Sequence, residues 1–428
     1  MTTGNPRRTT GNPRSSRRLA AATLVAVGAL ALTACGGSGF SEAGDDSAEQ
    51  TEATDAPLTV LIGSSGTAET DAVTEAAASW SEESGIDATV NAASDLPQQL
   101  SQGFASGDPA DVFYVSSDAF AGYAANGSLE PYAEDLANKD DFYPALREAF
   151  TYDDQLYCAP KDFSTLGLVI NDELWAAAGL TDEDIPTTWD ELAETAEALT
   201  TDDTAGLAFS PEFQRVGAFA AAAGGGLVTD GEATANSPEN VEALTYVQQL
   251  LNDGVASYSS DLGAGWGGEA FGKGLAAMVI EGNWIAGAMS ADYPELEYTI
   301  AELPEGPGGK GTLQFTNCWG IAADSDNIEG ARQLVEHLTS VDSQMAFASA
   351  FGVMPSIQSA ADQWATEYPD LAPFIAGGEY AQNVPAQPGT VDVIAELNAQ
   401  LESLKTADPQ QILDDVQPSL ETVIADAQ

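Results

Sequence analysis

Residues 152–180 read YDDQLYCAPKDFSTLGLVINDELWAAAGL, and this stretch decides how the chain divides. A short aromatic strand precedes Pro160, and an apolar strand at 166–170 follows it and leads into a helix at 173–178. A proline between two strand-like segments suits a place where the backbone leaves one sheet and enters another. Our hypothesis is a hinge at which residues 161–164 line a ligand cleft. The alternative is an edge strand and a loop within one domain.

The first 34 residues are typical of an export signal. Residues 1–18 contain five arginines and no acidic residue, and residues 19–34 carry no charge. That apolar run is short for a membrane span, which needs about 20 residues, but it suits a signal peptide. It ends in LTAC, which resembles the lipobox of bacterial lipoproteins, and the resemblance implies that Cys35 is lipidated and becomes the mature N-terminus. The alternative is an ordinary signal peptide with a chance cysteine, and export by the Sec or the Tat route stays open.

Residues 35–57 predict a disordered tether after this cysteine. Phe40 is the only large apolar side chain in residues 36–57, which are otherwise mainly Gly, Ser, Ala, Thr, Asp and Glu. Such a segment cannot bury enough surface to offset its ordering entropy. We therefore expect a folded part held by a lipid at the extracellular face of the cytoplasmic membrane.

The charge of the chain restricts its partners. Without residues 1–34, 8 basic residues stand against 67 acidic ones. Such repulsion favours a soluble monomer and argues against nucleic acid, which needs clustered lysines and arginines. It also disfavours an anionic ligand, unless a local basic site overrides the average. The acidic residues are spread along the chain, which is typical of solvated faces rather than of a calcium array. About 370 residues after the tether favour two lobes over a single core.

The remaining cysteines form an even pair. With Cys35 assigned to a lipid, Cys158 and Cys318 remain, and the predicted export places them in an oxidising compartment. They could form a disulfide, and the alternative is two buried free thiols. Metal binding is disfavoured because the single histidine, His337, has no CxxC or HxxxH partner motif. We expect neither a metal nor a cofactor.

Strands and helices alternate after the tether, which predicts a parallel α/β sheet. Predicted strands at 58–62, 86–91 and 111–115 are each followed by a polar loop and a helix. Ligands of such sheets sit at the carboxyl ends of the strands. This rule selects Ser64, Ser65, Ser117 and Asp118, although Ser and Asp are also favoured there as helix N-caps.

The pattern restarts after Pro160. A predicted strand at 206–209 ends in SPEFQ, Trp266 lies in a glycine loop at 263–268, and a strand at 275–280 runs into EGNW. The strand predicted at 312–323 is long enough to cross back between lobes, and 352–356 is a candidate third crossing.

Six segments occur in the order GDPADVFYVSSDAFAGYAANGSLEPY, QLYCAPKDFSTLGLVINDELW, PTTWDEL, FGKGLAAMVIEGNW, LPEGPGG and GIAADSDNIEGARQLVEHL. As a set they resemble the family 1 extracellular solute-binding proteins of ABC importers, the carbohydrate-binding relatives of maltodextrin-binding protein. The resemblance implies a periplasmic-binding-protein-like α/β fold. Two lobes are joined by three hinge crossings, near 163–165, 315–318 and 352–356. Cys158 and Cys318 would then lie beside two neighbouring hinge strands, which favours the disulfide.

The implied lobes have discontinuous ranges. Lobe 1 comprises 58–163 and 317–354, and lobe 2 comprises 164–316 and 355–428, with a return of the C-terminal helices to lobe 1 left open.

The resemblance also implies a ligand site. Asp118 matches a cleft aspartate, Trp284 a tryptophan that stacks on a sugar ring, and Glu212 with Phe213 an acidic and aromatic pair. Val115 and Ala119 replace residues of maltodextrin binders, which argues against a long maltodextrin. The predicted ligand set is Ser64, Ser65, Ser117, Asp118, Phe163, Ser164, Glu212, Phe213, Gln214, Trp266, Trp284, Asn317 and Trp319.

These expectations describe a lipid-anchored receptor rather than an enzyme. It would capture a sugar or oligosaccharide and deliver it to the transmembrane subunits of an ABC permease. Alternatives are a binding protein for a polyol or another polar nutrient, a secreted glycosidase that uses Asp118, Glu212 and Glu281, and a purely structural surface protein.

Overall fold

The computed structural model describes residues 54–64 and 66–426. The predicted signal peptide, Cys35, nearly all of the tether and Ser65 lie outside the described residues. Within them, no helix combines the length and apolar character that a membrane crossing requires. The strands are β1 Leu58–Ile62, β2 Ala88–Ala92, β3 Val112–Ser116, β4 Thr151–Tyr152, β5 Gln155–Leu156, β6 Ala159–Asn171, β7 Ala205–Phe209, β8 Val228–Thr229, β9 Glu232–Ala233, β10 Ala256–Tyr258, β11 Ala276–Gly282, β12 Tyr298–Ala301, β13 Thr312–Ile321 and β14 Ala381–Asn383.

Helices cover both halves of the sheet. They are α1 Thr67–Ser84, α2 Leu96–Ser106, α3 Ser117–Ala125, α4 Pro144–Ala149, α5 Asp172–Ala177, α6 Trp189–Leu199, α7 Phe213–Ala222, α8 Pro238–Asp253, α9 Gly267–Gly272, α10 Trp284–Asp292, α11 Ile328–Leu338, α12 Val341–Phe351, α13 Ala361–Glu367, α14 Ala372–Gly377, α15 Thr390–Leu401 and α16 Pro409–Asp426.

Local sequence explains where several helices begin and end. The Asp95 carboxylate accepts from the Gln98 amide at 3.0 Å, and Ser237 caps α8, whose first residue is Pro238. Thr188 and Glu191 form a capping box at α6. Gly352 ends α12 with φ 78°, a left-handed conformation that suits glycine.

One sheet runs through both lobes in the order β10-β7-β11-β6-β13-β3-β1-β2, with β12 beside β6 and β14 beside β13. Strand β1 is parallel to β2 and β3, and β7 is parallel to β10 and β11, as the alternation of strands and helices predicts. The long strands β6 and β13 are antiparallel to their main neighbours. The two-lobed α/β class predicted from the sequence is confirmed.

Strand β6 is the first crossing. Residues 159–165 pair with β13, whereas residues 166–171 pair with β11 and β12. We predicted a break at Pro160, but the strand is continuous over 13 residues. Pro160 stands next to the strand's first residue, where the pairing with β13 changes register between Asn317 and Cys318, so its missing N–H is tolerated.

The other two crossings lie beside β6. Strand β13 pairs with β14 at residues 312–314 and with β3 at 317–321, so it also belongs to both halves. The amide of Phe163 donates to the Met354 carbonyl at 3.2 Å, which places the third crossing against the same strand. The sequence does not predict β14, because the prolines, glycine and amides of residues 382–389 are typical of a loop.

Each half has its own buried side chains. In lobe 1, α1 packs against α11 and α12, and Val60, Phe113 and Leu334 are fully buried. In lobe 2, α7, α8, α15 and α16 pack together over Val216, Val247 and Leu397. The described C-terminal helices α15 and α16 therefore pack against α7 and α8.

A disulfide joins Cys158 and Cys318, whose Cα atoms are 5.8 Å apart. It links the segment just before β6 to β13, across 160 residues of sequence. Both sulfurs are buried beside the crossing strands.

Replacing both cysteines with Ala should lower the free energy of unfolding by about 2–5 kcal/mol, because the bridge closes a long loop in the unfolded chain. Urea unfolding of wild type and variant measures the loss. As a control, dithiothreitol should shift the wild-type midpoint to that of the variant and leave the variant unchanged. An identical midpoint for all four samples would contradict this stabilising role.

Candidate functional site

A cavity of about 490 Å³ opens where β6 and β13 pass between the lobes. Its walls come from the end of β3 and the start of α3 in lobe 1, from both crossing strands, and from α7, α10 and α15 in lobe 2. Parallel strands of lobe 1 thus end at the same place where the crossing strands enter lobe 2. This is the position that the ligand-cleft hypothesis requires.

A larger, shallower depression of about 710 Å³ lies on the outer face of lobe 2, beside Trp189 and Tyr246. These two rings stack on each other 4.3 Å apart, and Trp189 is buried. Its walls come from lobe 2 only, whereas the cleft joins groups from both lobes. We therefore assign the candidate site to the cleft.

Three polar residues form a row across the floor of the cleft. Asn317 on β13 pairs with Ser116 on β3 on one side and with Asp162 on β6 on the other. All three line the cavity, and Asp118 follows Ser116 in the first turn of α3. The row therefore offers hydroxyl, amide and carboxylate groups within a few strand spacings of one another.

The alternation of side chains along β6 decides which of its residues reach the cleft. Asp162 and Ser164 line the cavity. Phe163 lies between them, is 1% exposed, and packs against Tyr143 with ring centroids 5.0 Å apart. Since successive side chains of a strand point to opposite faces, Phe163 faces away from the cavity, whereas its neighbour Asp162 lies on the wall.

The opposite wall carries an exposed tryptophan. Trp284 begins α10 and is 37% exposed, which is unusual for a large apolar side chain of this fold. Its indole lies over Gly282, where a Cβ atom would come within 2.2 Å of the ring. It also packs edge-to-face against Phe315, with ring centroids 5.6 Å apart. The ring is thus held in place while it still faces solvent, as a stacking platform must be.

Residues 63–345 match the model of a known family, described as bacterial extracellular solute-binding protein. This chain belongs to that family. The family expected from its motifs is confirmed.

Similar proteins cover most of this solute-binding protein. A binding protein of Brucella abortus is 23% identical over 349 residues, which is 77% of this chain and 83% of the relative. A cyclic α-maltosyl-1,6-maltose binding protein from Arthrobacter globiformis has a similar structure, with a TM-score of 0.77, 23% identity, and coverage of 86% of this chain and 99% of that one. The sugar-binding protein MalE from Xanthomonas citri gives a TM-score of 0.75 at 19% identity, covering 86% of this chain and 98% of its own. These likenesses establish the fold.

A buried ion pair holds the platform of this solute-binding protein. The indole N–H of Trp284 donates to Glu281 Oε2 at 3.0 Å, and the same oxygen accepts from Arg215 Nη2 at 2.8 Å. Glu281 is fully buried, and burial raises the pKa of its carboxyl while Arg215 opposes the rise. The Arg215 guanidinium also lies 5.2 Å from the indole centroid, so charge and ring orient each other.

A second buried cluster lies behind the polar row. Lys161 Nζ contacts Glu69 Oε1 at 3.1 Å and Asp162 Oδ2, and it stands 4.4 Å from the centre of the Tyr114 ring. The Tyr114 hydroxyl donates to Glu69 Oε1 at 3.1 Å. Burial alone would lower the pKa of Lys161, but the two carboxylates raise it above its usual value, so the ammonium stays charged. Lys161 therefore pairs with carboxylates rather than with a ligand.

Helix α15 supplies an apolar wall that the sequence reasoning missed. Val391 is 50% exposed, and it lines the cavity together with Ile394 and Ala395. Asn398, one turn further on, accepts from the Phe213 amide at 2.7 Å and so joins α15 to the start of α7. In the sequence, the signal for this wall is that Val391 lies outside the apolar positions 393, 394, 397 and 401 that repeat along the helix.

About half of the predicted ligand set lines the cavity. Its lining includes Ser117, Asp118, Ser164, Gln214, Trp284 and Asn317. Further lining residues outside the predicted ligand set are Ser116, Asp162, Gln314, Phe315, Thr316, Val384, Pro385, Val391, Ile394, Ala395 and Asn398.

The other predicted residues that the structure describes do not line the cavity, each for a structural reason. Ser64 closes a turn with Gly66 and Thr70, while Glu212 is exposed at the start of α7. Phe213 belongs to the lobe 2 core.

Two predicted tryptophans are also placed elsewhere. The Trp266 ring covers Gly268, where a Cβ atom would come within 2.0 Å of it. Trp319 is fully buried against Tyr114, with ring centroids 4.8 Å apart, so neither of its faces is open to a ligand. Among the described residues, no group of three or more His, Cys, Asp or Glu side chains could hold a metal ion.

Replacing Lys161 with Met should destabilise the protein by about 3–5 kcal/mol, since it leaves two buried carboxylates without the ammonium that they share. Chemical unfolding at neutral pH measures the loss. Lys310→Met is the matched control, because Lys310 pairs with Glu302 at the surface and its loss should cost less than about 1 kcal/mol. Equal losses in the two variants would show that the buried cluster has no special role in stability.

Proposed function

We propose that this solute-binding protein captures a neutral sugar or short oligosaccharide in the cleft and delivers it to the transmembrane subunits of an ABC importer. The observation that carries the proposal is the exposed indole of Trp284 opposite the row Ser116, Asn317 and Asp162. One face of a pyranose is made of C–H groups and packs on an aromatic ring, whereas its hydroxyls need donors and acceptors at the edges.

The lining also supports a neutral ligand. Among the described residues that form the cleft, none is a lysine, arginine or histidine. A phosphate or carboxylate would therefore lose its hydration without gaining a charged partner, and an unpaired buried polar group costs about 1–3 kcal/mol. The names of the Arthrobacter and Xanthomonas proteins, both sugar-binding, agree with this choice.

Capture requires two arrangements of the lobes. Asp162 and Asn317 stand on the lobe 1 side of the cleft, and Trp284 and Gln214 on the lobe 2 side. A ligand that touches both sides binds the closed arrangement more tightly than the open one, and this difference in affinity sets how far it shifts the protein toward closure. We place the bending at the three crossings, with lobe ranges of 58–163 with 317–354 and 164–316 with 355–428.

The geometry does not favour the glycosidase alternative. A glycosidase needs two carboxyl groups that face the scissile bond. Of the carboxylates considered for that role, Glu281 is fully buried in its ion pair and Glu212 is not in the cleft lining. The two acidic residues that do line the cleft, Asp118 and Asp162, lie on the same wall, so they do not flank a bond from opposite sides. We therefore propose a receptor without turnover.

Sugars should raise the melting temperature of the protein, since a ligand at 100 times its Kd adds about 2.7 kcal/mol to stability. A thermal-shift screen over mono- to tetrasaccharides and polyols identifies the ligand. Trp284→Ala should weaken binding of the hit by roughly 5–30-fold through loss of about 1–2 kcal/mol of stacking.

Trp284→Phe is the matched variant, because it keeps an aromatic face and should retain most of the affinity. Full affinity in Trp284→Ala would place the stacking surface elsewhere. Steady release of shorter sugars by the wild type would identify an enzyme instead.

We also propose lipid anchoring at Cys35, with residues 36–57 as the tether. In cells, Cys35→Ser should abolish the lipid modification and leave most of the protein out of the membrane fraction, whereas wild type should stay with it. Labelling with a fatty-acid probe and fractionation test the two effects together. Equal labelling of both proteins would rule out this cysteine as the acceptor.

A further inference from the structure

Asp162 presents an unsatisfied acceptor to the cleft. Its side chain is 11% exposed, lines the cavity, and contacts Lys161 through Oδ2. Among the described residues, no hydrogen bond reaches the other oxygen, Oδ1. A carboxylate oxygen that is nearly buried and borders a cavity is an acceptor for which a ligand can supply the donor.

The carboxyl group of Asp162 shares its cation with a second acidic residue. Lys161 Nζ contacts both Asp162 Oδ2 and Glu69 Oε1, and while burial raises the pKa of the Asp162 carboxyl, the ammonium opposes that rise. Asp118 adds a second carboxylate to the same wall. Two acidic side chains thus border the cleft where a ligand would meet it.

No basic side chain lines the cleft among the residues that the structure describes. Arg215 stands behind Trp284, and its guanidinium is bound to Glu281. Arg215 and Lys161 therefore both lie behind the wall of the cleft and pair with carboxylates, so neither is placed to receive an anionic ligand group.

We propose that Asp162 determines the ligand class, accepting a hydrogen bond from a ligand hydroxyl through Oδ1 and excluding sugars that carry a carboxylate or phosphate. The inference rests on the proposed sugar-binding function and deepens it. Rejection of a competitor through an unfavourable charge is a common source of specificity. Two like charges about 4 Å apart near a protein surface repel strongly enough to weaken binding by at least 100-fold.

The experiment measures calorimetric Kd values for glucose, galactose and mannose, for their uronates, and for the corresponding disaccharides in neutral and uronate form. Wild type should bind the neutral member of a pair at least 100-fold more tightly than its uronate. Asp162→Asn should bind the neutral sugar roughly 10-fold more weakly and reduce the preference to less than about 10-fold, because its amide can turn an N–H toward the cleft.

Two further variants make the test specific. Asp190→Asn removes the same charge from the exposed start of α6, outside the cleft, and should leave both Kd values unchanged. Asp118→Asn should reduce the preference for neutral sugar over uronate less than Asp162→Asn does, because Asp118 is exposed and water screens its charge. The wild-type preference stands as a test by itself should Asp162→Asn fail to fold.

The outcomes separate the two proposals. The role of Asp162 is overturned if Asp162→Asn binds neutral sugars with an unchanged preference over their uronates, or if wild type binds sugar and uronate equally. Either result leaves the proposed receptor function intact. A preference that disappears only in Asp118→Asn overturns the role of Asp162 and shows that Asp118 excludes the anionic sugars. Failure of wild type to bind any of the neutral sugars overturns the proposed function and this inference with it.

Discussion

The antiparallel pairing of β6 with β13 is the constraint on which the rest of the structure depends. Each strand spends part of its length in one half of the sheet and part in the other, so its backbone N–H and C=O groups find partners in both lobes. The pair stays hydrogen-bonded where it crosses, which lets two cores meet without exposing unpaired backbone. The disulfide at Cys158 and Cys318 and the bridge from Phe163 to Met354 flank the same place.

The cleft follows from this crossing. The polar row of Ser116, Asn317 and Asp162 exists because three neighbouring strands are in register where β3 ends. The strand period of two then turns Asp162 and Ser164 toward the cavity and Phe163 toward the core. Recognition chemistry and core packing thus alternate along a single strand.

The buried ion pairs contribute more to orienting neighbouring side chains than to the stability of the fold. Removing ions from water is costly, and a buried ion pair seldom repays that cost compared with apolar packing. Here each pair stands directly behind a surface that faces the cleft: Arg215 with Glu281 behind the indole of Trp284, and Lys161 with Glu69 behind Asp162. In both cases a charged hydrogen bond fixes the direction of a group that faces the cleft.

The sequence by itself determined the class of fold, the family and the order of the crossings, because these depend on local signals repeated along the chain. Alternating strands and helices, the long apolar segment at 312–323 and the GNW motif are readable one window at a time. Of the residues that the family resemblance and the strand-end rule select, Ser117, Asp118, Ser164, Gln214, Trp284 and Asn317 line one cavity. Only the tertiary structure decided that Asp162 rather than Phe163 faces the cleft, that α15 forms a wall, and that Trp319 and Phe213 belong to cores. Which face of a strand or helix meets a partner depends on elements far away in the chain, and no local pattern carries that information.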